Sequence, residues 1–485
     1  MQPTCRHRPD CDGCPRFEQT PEKRAAELLA GLHRLAGLFE LKPPSSIIHS
    51  EIDLGYRNRA RMVVRNGRYP LGFFRAKSRE FIGIQACVVH TDAVEEVLGT
   101  VRLLGKHEVM QAAKFVDVRA GENAILTVSL KGEVTDEAIQ DFKAQFLSMQ
   151  PDIGLQLNRG KGHGVLAGQQ EVISGPETVR FVVRGLSFEV PPNAFFQLNT
   201  SMLETMQDRM AQWIEDEDII DTYCGVGVHG LGLGKGHVYG MDNVEDAVKW
   251  ARANAAANKR EATFEVVEDA TAESWTPPFA DATVILNPTR AGVVEGFLDR
   301  VATSECKQIL YVSCNPISFF RDAERLARHG WQIAETHAYE MMPRTDQVEL
   351  VVRFARGKRL AVGPKAAEHA SIWIALADGV VPHGELPGGV VKVRRIRNYE
   401  GASVIRITSV EPIDADTLAK SLRAWKHPLV GDSQFGSRQV NSKWLREAYV
   451  DVPMLACIRD GRTTFKAPGF FCATVQLPAR TLERD

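Results

Sequence analysis

Residues 194–357 alternate between short apolar strands and helical segments, and three of the strands stop abruptly at polar or glycine-rich turns. Strands that alternate with helices in this way predict an α/β fold built on a doubly wound parallel sheet. The three turns contain Asp221, Asn287 and Cys314. Because the carboxyl ends of parallel strands share one edge of a sheet, where such folds bind their ligands, we expect the three turns to form one site.

Length and composition limit what the rest of the chain can be. A chain of 485 residues predicts about three domains, and 44% hydrophobic with 25% charged residues is ordinary for a soluble globular protein. A net charge of −2 argues against a wholly basic nucleic-acid binder but leaves room for a local basic face. The N-terminus has no apolar signal region, and no apolar run approaches the roughly 18 residues of a membrane span. The lack of a signal region and of a membrane span, together with an odd number of cysteines, nine, predicts a cytoplasmic protein with no membrane partner.

Changes of pattern along the chain predict four segments. Residues 1–47 join a cysteine-rich stretch to an amphipathic helix. Residues 48–193 carry short alternating strands with helical insertions near 92–106 and 135–149, which predicts a β-rich α+β domain. Residues 194–357 form the α/β domain, and residues 358–485 return to short strands and turns, which predicts a β-rich C-terminal extension.

The glycine-rich turn in the segment Ile219–Gly230 is a candidate cofactor site. Glycines let the backbone approach a ligand closely, and a carboxylate about twenty residues later, Asp242, is placed to bind ribose hydroxyls. A glycine turn alone leaves nicotinamide, flavin and S-adenosylmethionine open, with a plain tight turn as the structural alternative. The leading Asp-x-x-x-Gly-x-Gly pattern, from Asp221 to Gly227, favours S-adenosylmethionine.

Cys314 ends the apolar run Ile309–Ser313, and a cysteine in such a place is often only a small buried hydrophobe. Beside a methyl donor, however, a thiolate suggests covalent activation of a poorly nucleophilic carbon such as carbon 5 of uracil. That reaction requires a base to remove the proton from carbon 5. Glu349, which opens a strongly apolar strand, is the candidate base; its alternative is a solvated charge at a strand edge.

Five motifs in order resemble those of the RNA uracil-5-methyltransferase family: Phe195–Asn199, Asp221–Gly227, Asn287–Arg290, Val312–Pro316, and Pro343–Thr345 followed by Glu349. The resemblance covers about residues 1–357 and implies a Rossmann-like S-adenosylmethionine-dependent methyltransferase domain. It implies that Cys314 is the nucleophile and Glu349 the base. It also implies a set of residues that contact S-adenosylmethionine: Gln197, Tyr223, Asp242 and Asn287. Cys224 matches a position that the family uses structurally.

The chain departs from the family pattern in three places. Asp242 stands where Glu is usual, Thr289 replaces a proline and leaves its loop less stiff, and the segment Leu231–Gly236 is glycine-rich where a full helix is expected. Asn287, rather than Asp, resembles the subfamily that acts on 23S ribosomal RNA, so we expect 5-methyluridine formation in that RNA. The alternatives are the same reaction on transfer RNA and a non-catalytic RNA-binding protein with a decayed cofactor site.

The N-terminal cysteines predict a metal site. Cys5, Cys11 and Cys14 are spaced C-x5-C-x2-C, and thiolates in such a cluster suit an iron–sulfur cluster or a tetrahedral zinc ion, with no metal as the third alternative. The resemblance to iron–sulfur members of the family supplies Cys87 as the fourth ligand and favours a structural [4Fe-4S] cluster. Cys306, Cys457 and Cys472 are expected to be ordinary buried or half-buried thiols.

Basic residues interleaved with Tyr69, Phe73 and Phe74 predict an RNA-binding face, with a solvated strand face as the alternative. They are Arg57, Arg59, Arg61, Arg65, Arg68, Arg75, Lys77 and Arg79. In the C-terminal extension, Lys426–Gly436 resembles part of the large-subunit-type pseudouridine synthases, but the His-Arg-Leu-Asp motif of their catalytic aspartate is absent. The extension either contacts RNA, through Lys392, Arg394, Arg395 and Arg397, or is a structural addition. We expect the protein to be a monomer and its partner to be RNA.

Overall fold

The structure is a computed structural model, and it describes residues 4–39, 41–75, 78, 80–159, 169–215, 218–267, 280–357, 371–378, 381, 384–385, 391–399, 402–409, 415–424, 455–460 and 463–464. The helices of these residues are α1 (Pro21–Phe39), α2 (Asp92–Leu103), α3 (Glu108–Gln111), α4 (Asp136–Met149), α5 (Thr200–Ala211), α6 (Val228–Leu233), α7 (Glu245–Ala257), α8 (Glu295–Thr303), α9 (Pro316–Arg328) and α10 (Ala415–Ala424).

The strands up to the end of the α/β domain are β1 (Ile47–Ile48), β2 (Arg59–Val64), β3 (Leu71–Phe74), β4 (Phe81–Gly83), β5 (Ala113–Ala120), β6 (Ala124–Leu130), β7 (Gly154–Arg159), β8 (Gln169–Ser174), β9 (Val179–Val183), β10 (Leu186–Val190), β11 (Ile219–Thr222), β12 (Val238–Asp242), β13 (Ala262–Val266), β14 (Thr283–Leu286), β15 (Gln308–Ser313), β16 (Trp331–Tyr339) and β17 (Glu349–Arg356). Those of the extension are β18 (Ser371–Asp378), β19 (Gly384–Glu385), β20 (Val391–Tyr399), β21 (Ala402–Ser409), β22 (Leu455–Asp460) and β23 (Thr463–Thr464).

The α/β domain is built on an eight-stranded sheet in the order β1-β16-β17-β15-β14-β11-β12-β13. Strands β11 to β15 are parallel to one another, whereas β17 runs antiparallel between β15 and β16. All six residues of β15 are buried, as a strand covered by helices on both faces requires. The predicted α/β fold is therefore confirmed, but the sheet is mixed rather than wholly parallel, because β17 is antiparallel to both of its neighbours.

The N-terminal helix belongs to the surface of this same sheet. Strand β1 pairs with β16 and adds an eighth, parallel strand at the edge. Helix α1 packs on α9, where the rings of Phe39 and Phe320 stack with their centroids 5.5 Å apart. The predicted boundaries between segments remain predictions, but residues from Pro21 to Ile48 contribute to the core of the α/β domain.

Helix α6 is only six residues long, which agrees with the poor helix propensity of its glycine-rich sequence. Its N-cap is Gly227, whose φ of 83° lies in the left-handed region that glycine adopts without strain. Helix α9 begins more strongly, because the Asn315 side chain accepts a hydrogen bond from the amide of Ile317 and Pro316 occupies the first turn. The cofactor side of the sheet thus has a short helix and the cysteine side a well-capped one.

The β-rich domain carries a seven-stranded sheet in the order β4-β3-β2-β5-β6-β7-β8. The two predicted helical insertions are present as α2 and α4, each capped by a threonine side chain, from Thr91 and Thr135. Their apolar faces pack on alternate residues of β5, β6 and β7 to form a separate core. This arrangement leaves the other face of the sheet polar, with Asp117 and Arg119 buried on it.

A buried ion network joins the N-terminal helix to the end of the α/β domain. The Arg24 side chain is 1% exposed; its Nε lies 2.6 Å from Oε1 of Glu340, and its Nη2 lies 2.7 Å from Oδ1 of Asp53. Nδ1 of His49 lies 2.9 Å from the other oxygen of Glu340. The Arg344 guanidinium completes the network through Asp53. Residues about 300 positions apart are therefore tied together.

The described part of the C-terminal extension is a six-stranded sheet in the order β19-β20-β21-β18-β22-β23, with α10 beside it. Apolar side chains of β18, β20, β21 and α10 form a core of their own. The segment Lys426–Gly436, which resembles a pseudouridine synthase, lies outside the described residues, as do Lys77, Arg79 and Cys472. Among the helices that are described, none has both the length and the hydropathy needed to cross a membrane.

The buried ion network predicts a large effect of Arg24→Met. Removing this partner leaves a buried carboxylate at Glu340 without its main cation, and such a loss costs about 3–5 kcal/mol. We expect a clear drop in the urea midpoint of unfolding. Lys23→Met, at the neighbouring exposed position, is the matched control. Equal stability of the two variants would contradict the role given to the network.

Candidate active site

The antiparallel pairing of β15 and β17 brings Cys314 and Glu349 together. Ser313 pairs with Leu350, so the residue that follows β15 and the first residue of β17 are neighbours across the ladder. Glu349 is 6% exposed, whereas the Cys314 thiol is half-buried and therefore open to a ligand from one side. The predicted nucleophile and the predicted base thus lie at the same point of the sheet edge.

Arg290 is the third charged group at this point. Its guanidinium hydrogen-bonds the Cys314 side chain and acts electrostatically on Glu349. It also donates to the side-chain oxygen of Gln347 at 3.2 Å. The turn after β14 therefore supplies a cation to the turn after β15, as the shared sheet edge predicts.

Burial is the main influence on the pKa values of Cys314 and Glu349. Burial raises the pKa of the Cys314 thiol, the charge of Glu349 raises it further, and Arg290 opposes both. Burial also raises the pKa of Glu349 to about 8, against the influence of Arg290. At neutral pH without substrate, the site therefore holds a thiol and a carboxylic acid, both of which have to lose a proton for the predicted chemistry.

The glycine-rich turn lies two strands away, after β11. Tyr223, Gly225 and Gly227 all have positive φ, of 60°, 54° and 83°, so the backbone is folded tightly on itself. Oδ2 of Asp242 accepts a hydrogen bond from the amide of Gly225 at 2.9 Å, and its Oδ1 accepts one from Val244 at 2.9 Å. The aspartate at this position is thus fixed against the turn by two backbone donors.

The other predicted cofactor residues surround this turn. The segment that carries Gln197 lies against it, because a Cβ on Gly225 would stand 3.9 Å from the carbonyl oxygen of Phe195. Gln197 itself is buried, and the Tyr223 ring packs edge-on against Phe297 with centroids 6.3 Å apart. Asn287 follows β14, the strand next to β11. Together these residues line one stretch of the sheet edge.

Two buried groups behind the turn are structural. The amide of Gly230 donates to Oδ2 of Asp221 at 2.8 Å, and burial raises the pKa of this carboxyl to about 7. Burial also raises the pKa of the Cys224 thiol well above its usual value. Burial raises the pKa of both thiols, but only at Cys314, which is half-buried, does a guanidinium oppose the rise and favour the reactive thiolate.

The four N-terminal cysteines converge on one cavity of about 310 Å³, lined by Cys5, Cys11, Cys14 and Cys87 with two histidines, His7 and His90. Burial raises the pKa of Cys14 to about 12, and the other three thiols add to the shift. Across the described residues, no three His, Cys, Asp or Glu side chains are disposed to hold a metal ion. The thiols share a cavity, but they are not arranged as a finished metal site.

Two arginines of the predicted RNA-binding face, Arg59 and Arg61, bind a carboxylate of the protein itself. Arg59 is directed inward: its Nε lies 2.9 Å from Oδ1 of Asp117, and its Nη2 donates to the carbonyl oxygen of Pro192. Arg61 reaches the same aspartate at 2.8 Å. The outer hairpin keeps two arginine–aromatic pairs, Arg65 over Phe74 and Arg68 over Tyr69, with guanidinium-to-centroid distances of 5.5 and 5.4 Å. Among the described residues, these pairs place a cation over an aromatic ring on the outer hairpin.

Sequence reasoning missed the residues that hold the site from behind. Asp322 and Arg321 on α9 bond to the turn after β14, and Tyr311 on β15 bonds to Asp322. A signal was present, because Asp322 stands among the buried positions of a strongly amphipathic helix. A carboxylate at such a position requires partners. Arg119, fully buried and bonded to the carbonyl oxygens of Pro191 and Ala194, was missed in the same way.

Comparison with known proteins gives the same picture. A relative named 23S rRNA (uracil(1939)-C(5))-methyltransferase RlmD, from Shewanella woodyi, is 27% identical over 383 residues, or 73% of this chain and 82% of that protein. A relative named uncharacterized RNA methyltransferase, from Streptococcus pyogenes serotype M18, is 27% identical over 346 residues, or 66% of this chain and 74% of that protein.

A solved structure is also similar. The Pyrococcus abyssi tRNA (uracil-54, C5)-methyltransferase in complex with S-adenosyl-L-homocysteine matches with a TM-score of 0.59 and 26% identity, covering 72% of this chain and 86% of that one. Residues 34–356, two thirds of the chain, match the family described as tRNA (uracil-5-)-methyltransferase. The chain therefore belongs to the tRNA (uracil-5-)-methyltransferase family, as its five motifs predict.

Proposed function

We propose that this protein transfers a methyl group from S-adenosylmethionine to carbon 5 of a uridine in RNA, with 23S ribosomal RNA as the preferred substrate. The observation that carries the proposal is that Cys314 and Glu349 lie next to each other where β15 ends and β17 begins, two strands from a glycine-rich turn. A nucleophile, a base and a methyl donor are what this reaction requires.

Cys314 begins the reaction by forming a bond from its sulfur to carbon 6 of uracil, which turns the ring into an enolate. Gln197, Tyr223, Asp242 and Asn287 would hold S-adenosylmethionine, which would supply the methyl group to carbon 5 as its sulfur–methyl bond breaks and S-adenosylhomocysteine leaves. Glu349 then removes the proton from carbon 5. The electron pair left behind restores the double bond and expels the Cys314 thiolate. Release of the proton from Glu349 to solvent then returns both groups to the ionised forms in which they entered the reaction.

The environment of the two groups suits this sequence of steps. Glu349 needs to be ionised only after methyl transfer, and a buried carboxylate with a pKa near 8 is a strong base for a proton on carbon. Arg290 opposes the rise in the pKa of Cys314 that burial causes, and so favours the thiolate that attacks. The target base has to leave its stack before carbon 6 can reach a half-buried thiol.

Glu349→Gln tests the division of labour between the two residues. Attack and methyl transfer remain possible, but the carbon 5 proton stays, so we expect a methylated covalent adduct to accumulate, visible as RNA-shifted protein on a denaturing gel. Cys314→Ala should form no adduct and no 5-methyluridine. Cys306→Ser, at a buried thiol elsewhere in the domain, is the control and should behave as wild type.

The same experiment separates the proposal from its rivals. If wild type and Cys314→Ala are equally inactive on every RNA while RNA binding persists, the protein is a non-catalytic RNA binder. If unmodified transfer RNA is methylated and 23S transcripts are not, the substrate assignment is wrong although the chemistry stands. Asn287, which resembles the residue of the subfamily that acts on 23S ribosomal RNA, and the relative named for 23S rRNA support the ribosomal substrate.

The raised pKa of Glu349 also predicts how stability depends on pH. Because the folded-state pKa is about 8 and the ordinary value is 4.5, the folded protein holds this proton more tightly than the unfolded chain. The resulting stability is complete below about pH 4.5 and is lost as the pH rises through about 8. Glu349→Gln should therefore melt at a higher temperature than wild type at pH 9, with little difference at pH 5. Equal melting temperatures at pH 9 would contradict this burial cost.

We further propose that Cys5, Cys11, Cys14 and Cys87 hold a structural [4Fe-4S] cluster. Support comes from their convergence on one cavity and from the raised pKa of the buried Cys14 thiol, which the other three thiols raise further, since a metal is a common way to stabilise several buried thiolates. No step of methyl transfer passes through the cluster.

The cluster proposal predicts a measurable composition. Protein purified without oxygen should contain about four iron and four sulfide per chain, and Cys14→Ser should lose both together with the broad visible absorption. Cys306→Ser should keep them. Stoichiometric zinc without sulfide would replace the cluster by a zinc site, and absence of any metal would end the proposal.

Two further assignments belong to the same proposal. The enzyme works in the cytosol as a monomer. Its C-terminal extension, which resembles a fragment of a pseudouridine synthase, contributes RNA contacts through β20, where Lys392, Arg394, Arg395 and Arg397 stand. The Arg395 guanidinium also donates to the carbonyl oxygen of Val381 at 2.8 Å, which fixes it to the sheet.

A further inference from the structure

The turn after β14 has to hold Arg290 against Cys314, yet its own sequence does little to stiffen it. Only Pro288 restricts the backbone, because the next position is Thr289. Within the turn, the amide of Gly292 donates to the carbonyl oxygen of Thr289 at 2.9 Å. A single internal hydrogen bond is a weak restraint for a loop that carries a catalytic cation, so restraint has to come from outside.

Helix α9 supplies that restraint through three side chains. Nδ2 of Asn315 donates to the carbonyl oxygen of Arg290 at 2.8 Å. Nη2 of Arg321 donates to the carbonyl oxygen of Ala291 at 2.7 Å. The amide of Val293 donates to Oδ2 of Asp322 at 2.8 Å. Three backbone groups around Arg290 are thus bound by one helix.

Asp322 connects this restraint to the strand that ends at Cys314. The same Oδ2 accepts a hydrogen bond of 2.6 Å from the hydroxyl of Tyr311, a residue of β15. Its Oδ1 lies 2.8 Å from Nε of Arg321, so the two restraining side chains also fix each other. Asp322 is 2% exposed. One buried carboxylate therefore bonds to the turn of Arg290, to the strand of Cys314 and to the helix between them.

The close approach of helix and turn depends on Gly292. Its φ is 88°, and a Cβ there would lie 2.4 Å from Nη2 of Arg321 and 2.7 Å from Oδ2 of Asp322. A side chain would push the turn off the helix. The sequence thus provides the glycine that lets both charged groups reach the backbone.

We propose that Arg321 and Asp322 are positioning residues that set the Arg290 guanidinium against the Cys314 thiol. They touch neither substrate nor cofactor and act only through the turn. The proposal rests on the proposed function because it takes Cys314 as the nucleophile, but its geometry does not depend on which RNA is methylated.

The expected consequence is a change in the reactivity of the thiol. A cation within hydrogen-bond reach favours a thiolate, and a nearby charge typically shifts a pKa by about 1–3 units. If the turn loosens, Arg290 spends less time on Cys314 and the thiol ionises at higher pH. Alkylation of Cys314 by iodoacetamide, followed by peptide mass spectrometry against pH, reports this directly and needs neither RNA nor methyl donor.

Asp322→Asn and Arg321→Gln should each move the Cys314 alkylation profile upward by about one pH unit. The control is Asp299→Asn, which breaks a contact of the same helix, since Asp299 lies 2.6 Å from Nη2 of Arg325 and 2.9 Å from Nε2 of His329. It should leave the profile in place. In an Arg290→Gln background, Asp322→Asn should produce no further shift, because the group that it positions is gone.

Two results would overturn the proposal. One is a folded Asp322→Asn or Arg321→Gln variant with the wild-type alkylation profile; Arg321→Gln decides the matter if Asp322→Asn does not fold. The other is a full additional shift in the Arg290→Gln background, which would assign the effect to another route. Failure of the proposed function gives a different result, namely methylation that persists in Cys314→Ala, so the two outcomes are distinguishable.

Discussion

The site depends on one pairing, that of β15 with an antiparallel β17. In a sheet of parallel strands, only carboxyl ends reach the ligand edge, so the first residue of a strand normally lies at the opposite side. Because β17 runs the other way, its first residue, Glu349, stands beside Cys314. The antiparallel strand therefore supplies a base at a position where parallel strands supply only the residues that follow them.

The same pairing also places two buried ionisable side chains, Cys314 and Glu349, next to each other. Burial raises the pKa of both Cys314 and Glu349, and the negative charge of an ionised Glu349 raises the pKa of the thiol further. Arg290 is the balancing cation, and it lies on a turn that needs support from α9. The reactivity of Cys314 and Glu349 thus depends on the position of Arg290, and the position of Arg290 depends on the buried carboxylate of Asp322.

Much of the fold and of the candidate site can be predicted from the sequence, because these parts depend on local patterns of residues. Apolar strands that end in polar turns predict the ligand-binding edge of the sheet, and the glycine-rich segment predicts a weak α6. The five motifs predict the family. The residues that hold the site could not be predicted in the same way. Arg59 resembles an RNA-binding residue until Asp117, 58 positions away, is seen to bind it. Asp322 becomes meaningful only once β15 and the turn after β14 are in place, since its partners come together by tertiary packing alone.

The most direct test of the central claim is to trap the reaction on RNA that contains 5-fluorouridine. Attack and methyl transfer can proceed on this base, but Glu349 cannot remove fluorine as it removes a proton, so the adduct should persist. Protease digestion and mass spectrometry should then find a methylated fluorouridine joined to the peptide that carries Cys314. An adduct on Cys224 or another thiol, or 5-methyluridine formed on normal RNA with no trapped adduct, would contradict the account.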